Sequence, residues 1–181
     1  MKPISVLATM MAAGVISAAS AQNAPGMAAV AKQNYNQLKN LLSRAADAMP
    51  EDSYNFQPTA PERSFGGWVA HVADSQMTIC SAMTGARKNL NAGSKTSKPD
   101  LVAALKESFD ACDAAFDALT DANVAEPVPG FRGEQPRLTT LFSMLSHDNE
   151  CYGSMPVYLR LKGIVPPSSD RSAIPRGVRK Q

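Results

Sequence analysis

The sequence predicts an all-α fold, a four-helix bundle, on three observations. Four runs carry apolar residues at helical spacing, caps and breakers bracket each run, and no stretch alternates apolar with polar residues as a strand would. The 181 residues suit one domain, and 44% hydrophobic with 19% charged residues is a globular composition. A formal charge of +2 and 6% aromatic residues exclude a strongly basic nucleic-acid binder with stacking rings. No internal repeat is visible.

The first element is a leader. Met1-Lys2 is a short basic start, Ile4 to Ile16 is almost uninterrupted apolar sequence, and Ala19-Ser20-Ala21 closes it. That order predicts a secretory signal peptide over residues 1–21, cleaved after Ala21. A membrane anchor would need about 20 apolar residues, and no other segment is long and apolar enough to span a bilayer. Removing the leader takes one lysine and no acid, leaving a charge of +1. Export, to the periplasm or medium, places the cysteines in an oxidising compartment.

The domain is expected over residues 22–167. Its first helix carries Ala31, Tyr35, Leu38, Leu42, Ala45 and Met49 on one stripe and stops before Pro50. Pro58 and Pro61 mark a loop. The second helix starts at the cap Ser64, presents Trp68, Val72, Ser75, Ile79 and Met83, and ends near Gly85, a residue suited to the left-handed C′ position. After a polar loop, Ser97-Lys98-Pro99-Asp100 supplies a cap, an early proline and a first-turn acid. The third helix then runs to about Leu119 through Leu105, Phe109, Cys112 and Phe116.

Thr120 to Pro136 contains Pro127, Pro129, Gly130 and Gly133, too many breakers for a helix. It is long for a bundle connection, so it crosses over the bundle or lines a site. The fourth helix begins near Thr139 and passes through Leu141, Phe142, Leu145, Tyr152 and Leu159. Pro156 interrupts its interior and predicts a kink, Arg160 and Lys162 complement its dipole, and Gly163 with Pro166-Pro167 ends it. The tail, residues 168–181, holds Arg171, Arg176, Arg179 and Lys180 with little to bury and is expected to be disordered.

Only two histidines, His71 and His147, and three cysteines, Cys80, Cys112 and Cys151, are present. The odd cysteine count leaves at least one thiol outside any intramolecular disulfide. His147 and Cys151, four apart, fall about 40° apart on one face of the fourth helix, and His71 sits on the second. Imidazole and thiolate both suit zinc, with nickel or iron as alternatives, and three protein ligands leave a fourth position open. The competing reading is chance: H-x-x-x-C pairs are common, and a helical cysteine often serves as a small buried hydrophobe.

Three segments bear on that choice: Ser64-Phe65-Gly66-Gly67-Trp68-Val69-Ala70-His71-Val72-Ala73-Asp74-Ser75, His147-Asp148-Asn149-Glu150-Cys151-Tyr152-Gly153, and Tyr158 through Ser169. They resemble the DinB-like family, also called DinB/YfiT-like metalloenzymes, in its exported subgroup, over roughly Met27 to Ser169. The resemblance implies an up-down-down-up bundle. It also implies a divalent ion on three histidines, one from the second helix and an H-x-x-x-H pair from the fourth. His71 and His147 match, whereas Cys151 stands where the family has its third histidine, in a segment that otherwise reads E-H-Y-G. The exchange either keeps a two-histidine, one-thiolate centre or abolishes the site.

Some relatives are similar to thiol-dependent transferases and isomerases, which implies a low-molecular-weight thiol or other small-molecule substrate. Glu150 and Asp74 are candidates to orient a histidine N–H, against the plainer reading of solvated surface acids, and Tyr152 reads as core. Cys80 and Cys112 fall outside the family's metal positions and are expected to form a disulfide, worth roughly 3 kcal/mol in the chain-entropy model; the alternative is two free core thiols. Cys80 lies nine residues past His71, about 180° around and 13 Å along the helix, clear of the site. Two function classes follow: a metal-dependent enzyme of transferase or hydrolase type, or a non-catalytic exported helical module. A homodimer is compatible with either.

Overall fold

The computed structural model describes residues 25–170, so the leader and residues 171–181 of the tail lie outside the described residues. Four helices appear: α1 (Met27–Ala48), α2 (Phe65–Met83), α3 (Lys98–Asp117) and α4 (Arg137–Leu161). Their starts follow capping chemistry. Ser64 Oγ accepts from the Gly67 amide at 3.1 Å, and Ser97 Oγ from the Asp100 amide at 3.2 Å. The exposed start of α1 is capped from afar, by Asp121 Oδ1 accepting from the Ala28 amide at 2.8 Å.

Two ends close on left-handed glycines. Gly163 has φ +75°, its amide donates to Arg160, and the Ile164 amide donates to Leu159; Gly85, φ +81°, ends α2 with the same pair of bonds to Ala82 and Ser81. These bonds satisfy the last carbonyls and need a φ that side chains resist.

Helix directions follow from which ends meet. Gly66 lies against Leu101, and Cys80 is joined to Cys112 in a disulfide with Cα atoms 4.9 Å apart, so α2 and α3 run parallel. Tyr35 bonds Asp113 while Lys98 reaches the carbonyls of Asp47 and Met49, making α1 antiparallel to α3. Trp68 meets Tyr158 while the disulfide sulfurs meet Met144, making α2 antiparallel to α4. The course is up-down-down-up. A short hop cannot join parallel neighbours, so the α2–α3 connection must travel the length of the bundle.

The expected stripes of α1 and α3 are buried throughout. In α2 the face is rotated from expectation: Trp68, Ser75 and Met83 are only half-buried, while Phe65, Val69, Val72, Gln76 and Ile79 turn inward. The helix packs on both α3 and α4, so no single narrow stripe describes it. Phe142, expected inside, is 67% exposed. Helix α4 continues through a buried Pro156, so the lost bond to the Tyr152 carbonyl does not interrupt it.

The connector before α4 holds a hairpin that the sequence reading did not expect. Strands β1 (Pro127–Gly130) and β2 (Gly133–Pro136) pair antiparallel, with Gly130 opposite Gly133 across a turn at Phe131-Arg132. That two-residue turn makes Gly130↔Gly133 the hydrogen-bonded closing pair, so Pro127, Pro129 and Pro136 all fall in the alternate pairs, where no ladder N–H is needed. The prolines that argued against regular structure occupy the positions a ribbon tolerates.

Past α4, the Ser168 amide donates to Tyr152 Oη at 3.0 Å, and Arg44 pairs with Asp170 at 2.6 Å. Residues 168–170, placed in the tail by sequence, are thus tied to the bundle.

Candidate metal centre

His71 on α2 and His147 and Cys151 on α4 converge where these antiparallel helices cross. Their donor atoms all lie within 4.8 Å of one another. His147 Nε2 is 3.0 Å from His71 Nε2 and 3.7 Å from Cys151 Sγ. A tetrahedral zinc ion with bonds of about 2.05 Å to nitrogen and 2.3 Å to sulfur needs an N–N separation of about 3.3 Å and N–S of about 3.6 Å. The two spacings from His147 Nε2 need shifts of only a few tenths of an ångström, and His71 and Cys151, within 4.8 Å of each other, must close to about 3.6 Å, so the residue types and their placement fit such an ion once these two side chains draw in on it.

The protonation pattern follows from the surroundings. Burial, then the neighbouring charges of Arg63 and His147, hold His71 below its ordinary value, which keeps its lone pair available. His147 is pushed up to about 10, first by its bond to Asp148 and next by its contact with Cys151. Cys151 is 3% exposed, whereas both imidazoles are half-buried.

Asp148, which the sequence reading passed over, organises the site. It is 1% exposed and places Oδ1 3.1 Å from His147 Nδ1. Its Oδ2 accepts from Gln76 Nε2 at 2.7 Å, and Gln76 Oε1 accepts from the Ser108 hydroxyl at 2.9 Å. A buried carboxylate on Nδ1–H fixes the tautomer and leaves Nε2 facing the other donors, the usual support of a ligating imidazole. Burial holds the Asp148 carboxyl above its ordinary value, and the bonds from His147 and Gln76 offset only part of that rise.

The signal was in the spacing. Leu141, Leu145, Asp148, Tyr152, Met155 and Leu159 step by four and three, so Asp148 sits on the apolar stripe of α4. The two expected helpers are elsewhere. Asp74 accepts from the Ala92 and Gly93 amides at 2.8 and 3.1 Å, and Glu150 is exposed.

Aromatic rings flank both imidazoles: Trp68 lies 6.2 Å from His71, and Phe131, at the hairpin turn, 5.8 Å from His147. A cavity of about 470 Å³ opens over His147 between Phe131, Arg132, Gln135 and Ser143, and one of about 310 Å³ opens beside His71. A largely apolar groove of about 450 Å³ between α1 and α4 touches none of the three donors.

A model of the DinB superfamily matches residues 34–153, which include all three donors. The chain belongs to the DinB superfamily. Its fold is similar to the crystal structure of a DinB-like protein from Bacillus cereus, at 18% identity over 76% of this chain and 93% of that one, with a TM-score of 0.64. A DinB-like protein from Bacillus subtilis is similar at 19% identity over 78% and 99%, with a TM-score of 0.61. No curated protein matches the chain. Membership accounts for the helical course; the cysteine in the donor set is a feature of this sequence.

Proposed function

We propose that this DinB-superfamily chain is exported and holds a divalent metal ion, zinc by its donor set, on His71, His147 and Cys151, presenting an open coordination position to a small molecule. The observation that carries the reading is the convergence of two imidazoles and a thiol within 4.8 Å, one imidazole braced by a buried carboxylate. Such an ion supplies Lewis acidity and lowers the pKa of a bound water or thiol, which suits thiol-dependent transfer.

The chain's own groups prepare that position. Asp148 holds His147 in one orientation, burial keeps His71 neutral, and Trp68 and Phe131 wall the two imidazoles. The leader at residues 1–21 and the Cys80–Cys112 disulfide, a bond that persists in oxidising compartments, support export.

Zinc titration of untagged protein tests the centre. One ion per chain is expected, with binding lost in His71→Ala and Cys151→Ala; a wild-type chain that takes up no zinc, nickel or iron refutes it. A thermal shift with a small thiol only in the metal-loaded form is the expected mark of thiol chemistry. N-terminal sequencing of exported protein should start at Gln22.

A further inference from the structure

We propose that the cavity beside His71 is an anion site, in which Arg63 and Lys95 hold the carboxylate or phosphate of the small-molecule substrate. The cavity, about 310 Å³, lies between the start of α2, the turn at Asn55 and the loop before α3. Its size suits a small ligand. Arg63, Lys95, Asn55, Ser64 and Thr96 line it with polar groups, and His71 forms part of its wall. Because His71 also belongs to the donor cluster, whatever fills the cavity abuts the proposed centre.

Charge decides the class of ligand. Neither Arg63 nor Lys95 is ion-paired among the described residues. The one acid in the lining, Asp74, has both oxygens committed to the Ala92 and Gly93 amides. Those bonds hold the turn that immediately precedes Lys95, so the acid positions that cation, and the charged groups Arg63, Lys95 and Asp74 leave the lining with a net charge of +1.

Arg63 is held as well. Its guanidinium lies 4.9 Å from the Trp68 ring centroid, and its carbonyl accepts from Tyr158 Oη at 2.5 Å. Ser64 Oγ accepts from the Gly67 amide, which leaves its own O–H free to donate inward. An arginine stacked on Trp68 and a nearby exposed lysine, with hydroxyl and amide donors, are the chemistry of carboxylate and phosphate recognition.

The role of this anion as a substrate head group rests on the metal-centred reading; the anion site does not. Titration of the mature chain with succinate and with inorganic phosphate at constant ionic strength, read by amide chemical shifts, tests it. The metal-free chain decides, since phosphate can ligate zinc directly. Saturable shifts are expected at Gly66, Gly67, Gly93 and Lys95, and the tighter of the two probes identifies the head group. Arg63→Gln and Lys95→Gln should each weaken binding about fivefold, as for a partly exposed ion pair. Lys106→Gln, on the exposed side of α3, should leave it unchanged.

Absence of saturable shifts, or an equal loss in Lys106→Gln, overturns the site. Succinate binding by a chain that takes no zinc would keep the anion site and sink the metal reading; zinc binding without anion saturation would do the reverse.

Discussion

Asp148→Asn separates the charge of the buried carboxylate from its hydrogen bonds. The wild-type chain of bonds runs from His147 Nδ1 through Asp148 and Gln76 to Ser108, whose hydroxyl also lies 2.7 Å from the Leu105 carbonyl. With the new amide oxygen facing His147, its NH2 faces Gln76, and the Gln76 amide must turn over. Gln76 then donates to the Ser108 oxygen, and that hydroxyl donates to Leu105. Every buried group keeps a partner, so the fold should survive with little loss. What disappears is the negative charge that would strengthen His147 as a ligand of the proposed ion. Carboxylate support of a metal-bound histidine is worth about 10- to 100-fold in affinity, or about 1.4–2.7 kcal/mol. Asp148→Ala removes the bonds too and leaves the 1% exposed Gln76 amide unpaired, which should cost about 2–4 kcal/mol of stability. Competition with a chelating dye measures the zinc affinity, and urea unfolding the stability. Zinc binding by Asp148→Asn within twofold of wild type, or full stability in Asp148→Ala, would refute the reasoning.

Two further outcomes are expected. The Cys80–Cys112 bond spans 32 residues and should contribute about 3–4 kcal/mol through the unfolded chain, so the double serine variant should unfold at correspondingly lower urea; a loss under 1 kcal/mol contradicts this. Burial and the Asp113 carboxylate hold the Tyr35 phenol far above the ordinary tyrosine range, and burial does the same for Tyr54. A folded pKa above the unfolded one gives stability that is complete below about pH 10 and lost as pH rises beyond it, by about 1.4 kcal/mol per pH unit for each tyrosine. Urea unfolding between pH 9 and 11.5 should show that decline, shallower in Tyr35→Phe; parallel slopes in the two proteins would exclude the assignment.

The proposed exchange of a histidine for Cys151 changes what the rest of the site must do. A thiolate donor adds negative charge at the ion, so an anionic ligand gains less from the metal itself than it would at an all-imidazole centre. In the proposed arrangement, the cations Arg63 and Lys95 beside His71 would offset that loss at the far end of the same small molecule.

Much of the architecture was legible because helix formation in a bundle is dictated locally. Ser64, Ser97, Gly85 and Gly163 set ends through their own chemistry, and the stripes of α1 and α3 each face one way. The His147–Cys151 pair was legible from its i, i+4 spacing; His71 joined it through the family resemblance, and the packing of α2 on α4 brings the three together. Where a segment answers to several neighbours at once, spacing misled. Helix α2 packs on two partners and hides a wider face, and the hairpin at 127–136 depends on its prolines, which have no N–H, falling at ladder positions that need no donor, a register that only pairing defines.

Asp148, Gln76 and Ser108 show the boundary most clearly. Each occupies a core-facing position on its own helix, and each alone reads as a polar flaw in an apolar stripe. A buried polar group is tolerated only when another meets it. The sequence by itself puts Asp148 in step with the apolar residues of α4, whereas the inward turn of Gln76 follows from α2 packing on two neighbours. Tertiary structure alone decided that the three meet in one line ending on His147, because the register of three helices sets those distances and no local rule encodes it.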